Sequence, residues 1–186
     1  LLITEIMYRP LETGDPNDAR SEYIELRNDG METIDLGLVE FVEGIRFRFP
    51  SLELAPGELI LVVKDINAFE AVHGTGHRIA GQYEGSLSDS GDRLLLRDAV
   101  GQIIADLSYD GTWYSLTDGQ GFSLTLLEPR PSDLEALSQT TAWRPSQFLG
   151  GPPGQAESLD VIAPRTVVLS ELLSHSHALA PDWLEF

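Results

Sequence analysis

Two short runs separated by a polar loop constrain this chain more than anything else in it. The first is Leu1-Leu2-Ile3-Thr4-Glu5-Ile6-Met7-Tyr8 and the second Ser21-Glu22-Tyr23-Ile24-Glu25-Leu26-Arg27-Asn28, both rich in residues that suit a pleated strand. The pattern returns near the other end as Val167-Val168-Leu169-Ser170-Glu171-Leu172-Leu173-Ser174, followed by Asp182-Trp183-Leu184-Glu185-Phe186. Matching Thr4 to Ser170 gives an offset of 166 and matching Glu25 to Glu185 an offset of 160, so the second loop is six residues shorter. The expected organisation is one module over 1–158, a linker over 159–166 and the first strands of a second, truncated copy over 167–186. The chain opens inside a strand pattern, which predicts a segment of something longer, with any targeting signal outside it.

In the first run apolar residues occupy both parities, so that strand is expected to be covered on both faces. In the second, Ile24 and Leu26 point one way and Tyr23, Glu25 and Arg27 the other, which predicts burial of the aliphatic pair. Phe41 to Phe49 turns at Gly44 and reads as a hairpin, and Leu59 to Lys64 is the most strand-like run of all. Asp65 is placed to cap a short helix that Gly74 stops. Arg93–Arg97 and Gln102–Tyr109 form a second hairpin, and Phe122–Leu127 a last strand. From Glu128 onward the chain turns extended and Pro-rich, with Trp143 and Phe148 as the expected anchors of this tail. About eight strands and almost no helix predict an all-β protein, an antiparallel β-sandwich with one short helix and a long extended C-terminal tail.

Net charge is −18, from 30 acids against 12 bases. Such a surface repels phosphate backbones and anionic lipid, so nucleic acid is not an expected partner. With no cysteine there is neither a disulfide framework nor a thiolate metal site, and the apolar runs are too short to insert into a bilayer.

The order Ile3-Thr4-Glu5-Ile6, Glu22-Tyr23-Ile24-Glu25-Leu26, Leu54-Ala55-Pro56-Gly57, Gly85-Ser86-Leu87-Ser88-Asp89-Ser90-Gly91-Asp92, Arg93-Leu94-Leu95-Leu96, Tyr109 and Ala142-Trp143-Arg144 closely resembles the lamin tail domain of bacterial exported and surface proteins. The resemblance covers roughly residues 1–155, and Gly150-Gly151-Pro152-Pro153-Gly154 resembles the Pro-Gly signature that closes the domain. It implies an immunoglobulin-like β-sandwich and no shared catalytic residues. Heptads like those of the nuclear relatives are missing from the chain, so a nuclear role is not carried over.

Four constellations carry candidate chemistry. Glu5 and Glu25, on neighbouring strands and repeated as Glu171 and Glu185, have the residue types of a cation site or an acid and base pair. The reading adopted for them is structural: acceptors for turn amides or partners of an Arg such as Arg27. Glu12, Asp15, Asn17 and Asp18 form an oxygen-rich loop suited to Ca²⁺, although the spacing is not that of an EF-hand. His73 and His77 have the four-residue spacing of a helical zinc pair, but Gly74 and Gly76 argue for a loop, as His175 and His177 also do. Trp113, Tyr114 and Tyr83 are candidates for an exposed aromatic platform that binds glycan.

The expected function is a non-catalytic interaction or architectural module of a larger secreted or cell-surface bacterial protein, contacting a protein partner or neighbouring repeats of the same chain. The alternative is a cation-dependent or carbohydrate-binding accessory domain attached to an exported hydrolase or nuclease. Strands of an incomplete module seek an edge, so Val167–Leu173 is expected to join one, in its own molecule or in a strand-exchanged dimer.

Overall fold

A computed structural model describes residues 1–127, 135–156, 171–173 and 183–185. Its larger sheet has six strands: β1 (Leu2–Met7), β2 (Tyr23–Arg27), β7 (Leu59–Val63), β8 (Ile79–Gln82), β11 (Leu124–Leu126) and β12 (Trp143–Pro145), in the order β12-β11-β1-β2-β7-β8. The smaller has four: β4 (Glu40–Glu43), β5 (Phe47–Arg48), β9 (Gly91–Arg97) and β10 (Ile103–Asp110), in the order β10-β9-β4-β5. β3 (Ile34–Asp35) and β6 (Glu53–Leu54) pair with each other, as do β13 (Glu171–Leu173) and β14 (Trp183–Glu185). Among the described residues no helix is long and apolar enough to cross a membrane.

The two main sheets share one core. Ile24, Leu26, Ile60 and Val62 of the larger sheet meet Phe41, Leu94, Leu96 and Leu107 of the smaller, all essentially removed from water. Each such side chain contributes about 1.5–3 kcal/mol by leaving water, which is why period-2 alternation fixes the faces. Trp143 completes the core from the tail, its indole N–H donating to Leu137 O at 2.7 Å. The all-β immunoglobulin-like sandwich is therefore the observed architecture. Phe148, the other expected tail anchor, is instead 62% exposed, so Trp143 alone anchors the tail in the core.

β7 and β8 run parallel, with Leu61 opposite Ile79 and Val63 opposite Gln82, so the sheet is not wholly antiparallel. Parallel neighbours need a crossover, and α1 (Ile66–His73) supplies it. Asp65 caps it by accepting from Ala68 N–H at 3.0 Å, and Gly74 ends it at φ +82°. Phe69 pins the helix onto Met7, Tyr23, Leu61 and Val63, forming a second, smaller core on the outer face of the larger sheet. The helix and the tail cover that face, including Tyr23 and Glu25 of β2.

Residues 171–173 bond to 183–185, with Glu171 opposite Glu185 and Leu172 opposite Leu184. This is a two-stranded sheet of their own rather than an addition to a main-sheet edge. The remainder of Val167–Leu173, and His175 and His177, lie outside the described residues.

Candidate functional site

The row Arg144, Thr125, Glu5, Glu25 and Leu61 runs straight across β12, β11, β1, β2 and β7. Between Ile3 and Glu5 the register slips, a bulge that sets Thr4 beside Glu5 against the single partner Glu25. Two carboxylates are thus forced together on the outer face, 1% and 2% exposed. Like charges brought together and desolvated are costly unless donors reach them, and here they do. Tyr23 Oη donates to Glu5 Oε1 at 2.6 Å, and Ser123 Oγ donates to the same oxygen. Thr4 Oγ1 donates to Glu25 Oε1 at 2.7 Å, and Gly154 N–H to Glu25 Oε2 at 2.7 Å.

The last of these bonds comes from the tail. The 150–154 segment lies over the pair, with Gly150 O 3.0 Å from Tyr23 Oη and Gly151 at φ +76° pressed so close that a Cβ would collide with the Glu5 carboxylate and the Tyr23 hydroxyl. Burial pushes Glu25 up to about 7, against the hydrogen bonds from Thr4 and Gly154 and the charges of Arg27 and His77. Burial and the neighbouring Glu5 raise the Tyr23 hydroxyl well above its ordinary range. The structural reading of the glutamates therefore holds in kind: they accept from hydroxyls and an amide and strap the tail to the first two strands. Beneath the strap is a cavity of about 80 Å³ walled by Thr4, Glu5, Glu25, Thr125 and Gln155, among others. Among the described residues Thr125 Oγ1 is buried without a hydrogen-bond partner. A few water molecules fill such a volume; a small-molecule substrate needs several times more.

The sequence reading missed a third buried carboxylate. Glu22, 1% exposed, accepts from Lys64 Nζ at 2.7 Å, Tyr83 Oη at 2.8 Å and Leu87 N–H at 2.9 Å. Burial raises its pKa while those three bonds pull it back. It ties the larger sheet to the loop that crosses into β9. Lys64, the only lysine in the chain and placed at the end of its most strand-like run, was the available signal.

The other candidates are placed as follows. The loop residues are held by their own neighbours: Glu12 by Arg9, Asp15 by Asn17 N–H and Nδ2, and Asp18 by Thr13 N–H and Gly14 N–H. Each of these carboxylates thus meets a local donor, Asn17 among them, and among the described residues no three His, Cys, Asp or Glu are grouped to hold a metal ion. His73 ends α1 and stacks 4.5 Å from Phe69, while His77 Nε2 lies 3.1 Å from His73 O. Burial and then the charge of His77 push His73 down to about 4. Tyr83 is corrected from an exposed aromatic to a buried one, because its hydroxyl is spent on Glu22. Trp113 and Tyr114 are partly buried against the main core, and the Tyr114 hydroxyl reaches Thr140 O and Trp143 O at 3.1 and 2.8 Å.

Residues 1–111 match the family model of the Lamin Tail Domain. The chain belongs to the lamin tail domain family. The match takes in β1 through β10, the Glu5 and Glu25 pair and the Glu22 hub, and leaves the strapping segment 150–154 beyond it. Lamin tail domains are immunoglobulin-like, not a known enzyme family, in keeping with the sandwich observed. No curated protein matches the chain significantly.

Proposed function

We propose that this lamin tail domain is a non-catalytic interaction or architectural module of a larger multidomain bacterial protein, secreted or held at the cell surface, in tandem with a second module that begins at residue 167. The observation that carries the reading is the use made of the buried carboxylates. Glu5, Glu22 and Glu25 each end on hydroxyl, amide or ammonium donors of the same chain, and the cavity between Glu5 and Glu25 has no room for a substrate. Groups committed in this way hold a fold together. The pairing of Glu171 with Glu185, which repeats that of Glu5 with Glu25, supports the tandem arrangement.

The test uses the chain's own chemistry. Carbodiimide on intact cells producing the full-length parent protein joins its many carboxylates to lysines of whatever touches it. Adducts to exported proteins or to neighbouring modules are the expected result. Adducts to cytosolic proteins alone, or hydrolysis of a glycoside or phosphodiester panel that Glu5→Gln abolishes, would overturn the reading.

A further inference from the structure

Helix α1, the 9–21 loop and the 148–150 segment enclose a groove of about 500 Å³. Leu11, Val72 and Leu149 line it and are 43%, 62% and 60% exposed. Leu11 and Leu149 close over Gly121, where a Cβ would lie 2.9 Å from Leu11 Cβ and 2.8 Å from Leu149 Cδ1. The exposed Phe148 borders an adjoining hollow that shares His73, extending the same apolar surface. Large apolar side chains clustered at one place in water mark a contact surface far more often than scattered ones do.

The polar walls fix the sign of the partner. Among the described residues the carboxylates lining the groove are Asp15 and Asp18, and no Lys or Arg lines it. The cations nearby are committed: Arg9 bonds both Glu12 and Asp118, and Arg20 bonds Asp65. A second copy would bring the same acidic walls and another −18 of net charge, and a nucleic acid or anionic bilayer would bring phosphate. We propose that the groove docks a cationic protein segment, one that seats one or two large apolar side chains between Leu11, Val72 and Leu149 while flanking Lys or Arg residues meet Asp15 and Asp18. Apolar area supplies the affinity, and the charges supply orientation and choice of partner. The inference rests on the reading of the chain as an interaction module and names the surface that reading needs.

Fluorescence anisotropy with three labelled synthetic peptides of equal length tests it: one of Leu and Lys, one of Leu and Glu, one of Ser and Lys. The Leu/Lys peptide is expected to bind saturably to the full chain, and the other two at least about tenfold more weakly, a difference of about 1.4 kcal/mol. Leu149→Ser and Val72→Lys, each checked for native melting, are expected to weaken the Leu/Lys peptide by at least the same factor. Met31→Ser, at a residue that is exposed but does not line the groove, is expected to leave binding unchanged. Equal binding of the Ser/Lys peptide, or indifference to Leu149→Ser, would overturn the proposal. So would a dimer in sedimentation, or binding to phosphatidylglycerol vesicles, that Leu149→Ser abolishes, since the occupant would then be a second copy or a lipid surface. If the peptide experiments fail while carbodiimide adducts to exported proteins survive in Val72→Lys, the groove is wrong and the module reading stands.

Discussion

Glu25 has a hydrogen bond on each carboxylate oxygen, yet burial still holds its pKa at about 7. Two donors favour the charged form; removal from water disfavours it by more. Because the folded value lies above the ordinary 4.5, the folded chain holds an extra proton between about pH 4.5 and 7. The stability this contributes is complete below that window and is lost as pH rises through it, on the order of 3 kcal/mol in all. His73 runs the other way. Its pKa falls from 6.5 to about 4, so the folded chain resists a proton that the unfolded chain takes, and stability is lost as pH falls through that range. Single substitutions separate the two. In Glu25→Gln the carboxamide oxygen can still accept from Gly154 N–H while its nitrogen donates to Thr4 Oγ1. The urea stability of this variant minus that of the wild type is expected to rise by about 3 kcal/mol between about pH 5 and pH 8. A flat difference curve would mean that Glu25 ionises normally within the fold.

The tail strap shows what a short irregular element can do when side chains from a sheet receive it. Gly151 sits in the left-handed region and against the Glu5 carboxylate, whereas Gly57, at φ +76°, has open space around its Cβ position. Gly57→Ala is expected to cost about 1 kcal/mol from backbone strain alone. Gly151→Ala adds steric overlap and is expected to cost about 2–4 kcal/mol, with new protease cleavage inside 147–156; equal losses at the two sites would remove the strap from the account. The strap also marks where the sequence stops being legible. Strands such as β7 and the β9–β10 hairpin are written in local alternation, and the Asp65 cap and Gly74 stop spell out α1. Tyr23 and Glu25 carry the polarity of a solvent face, and only the arrival of residues 150–154 from more than a hundred positions away makes that face an interior. The same holds for Glu22, whose partners Lys64, Tyr83 and Leu87 lie in three different segments. β8 was missed because Ile79-Ala80-Gly81-Gln82 has no alternation and pairs in parallel through a crossover.

At the scale of the molecule, acids outnumber bases by 18. Surface pairs such as Arg48 with Glu40 and Arg78 with Glu58 use some carboxylates, but exposed pairs are worth only a few tenths of a kcal/mol and most of the surplus has no cation to meet. Added salt screens attraction and repulsion alike, and with this surplus repulsion is the larger quantity. The melting temperature is therefore expected to rise by several degrees as NaCl is raised from about 10 mM to 0.3 M; a fall would show that the ion pairs dominate. Strand order has a further consequence, one of time. Ile6 of β1 pairs with Leu124 of β11, 118 positions later, and β11 in turn pairs with β12. A ribosome emits β1 and β2 early, but one flank of β1 stays bare until almost the whole module has been translated. The nascent module is thus exposed to mispairing throughout its synthesis, and its own last stretch, Trp143 to Gly154, is the one that closes the sheet and straps it shut.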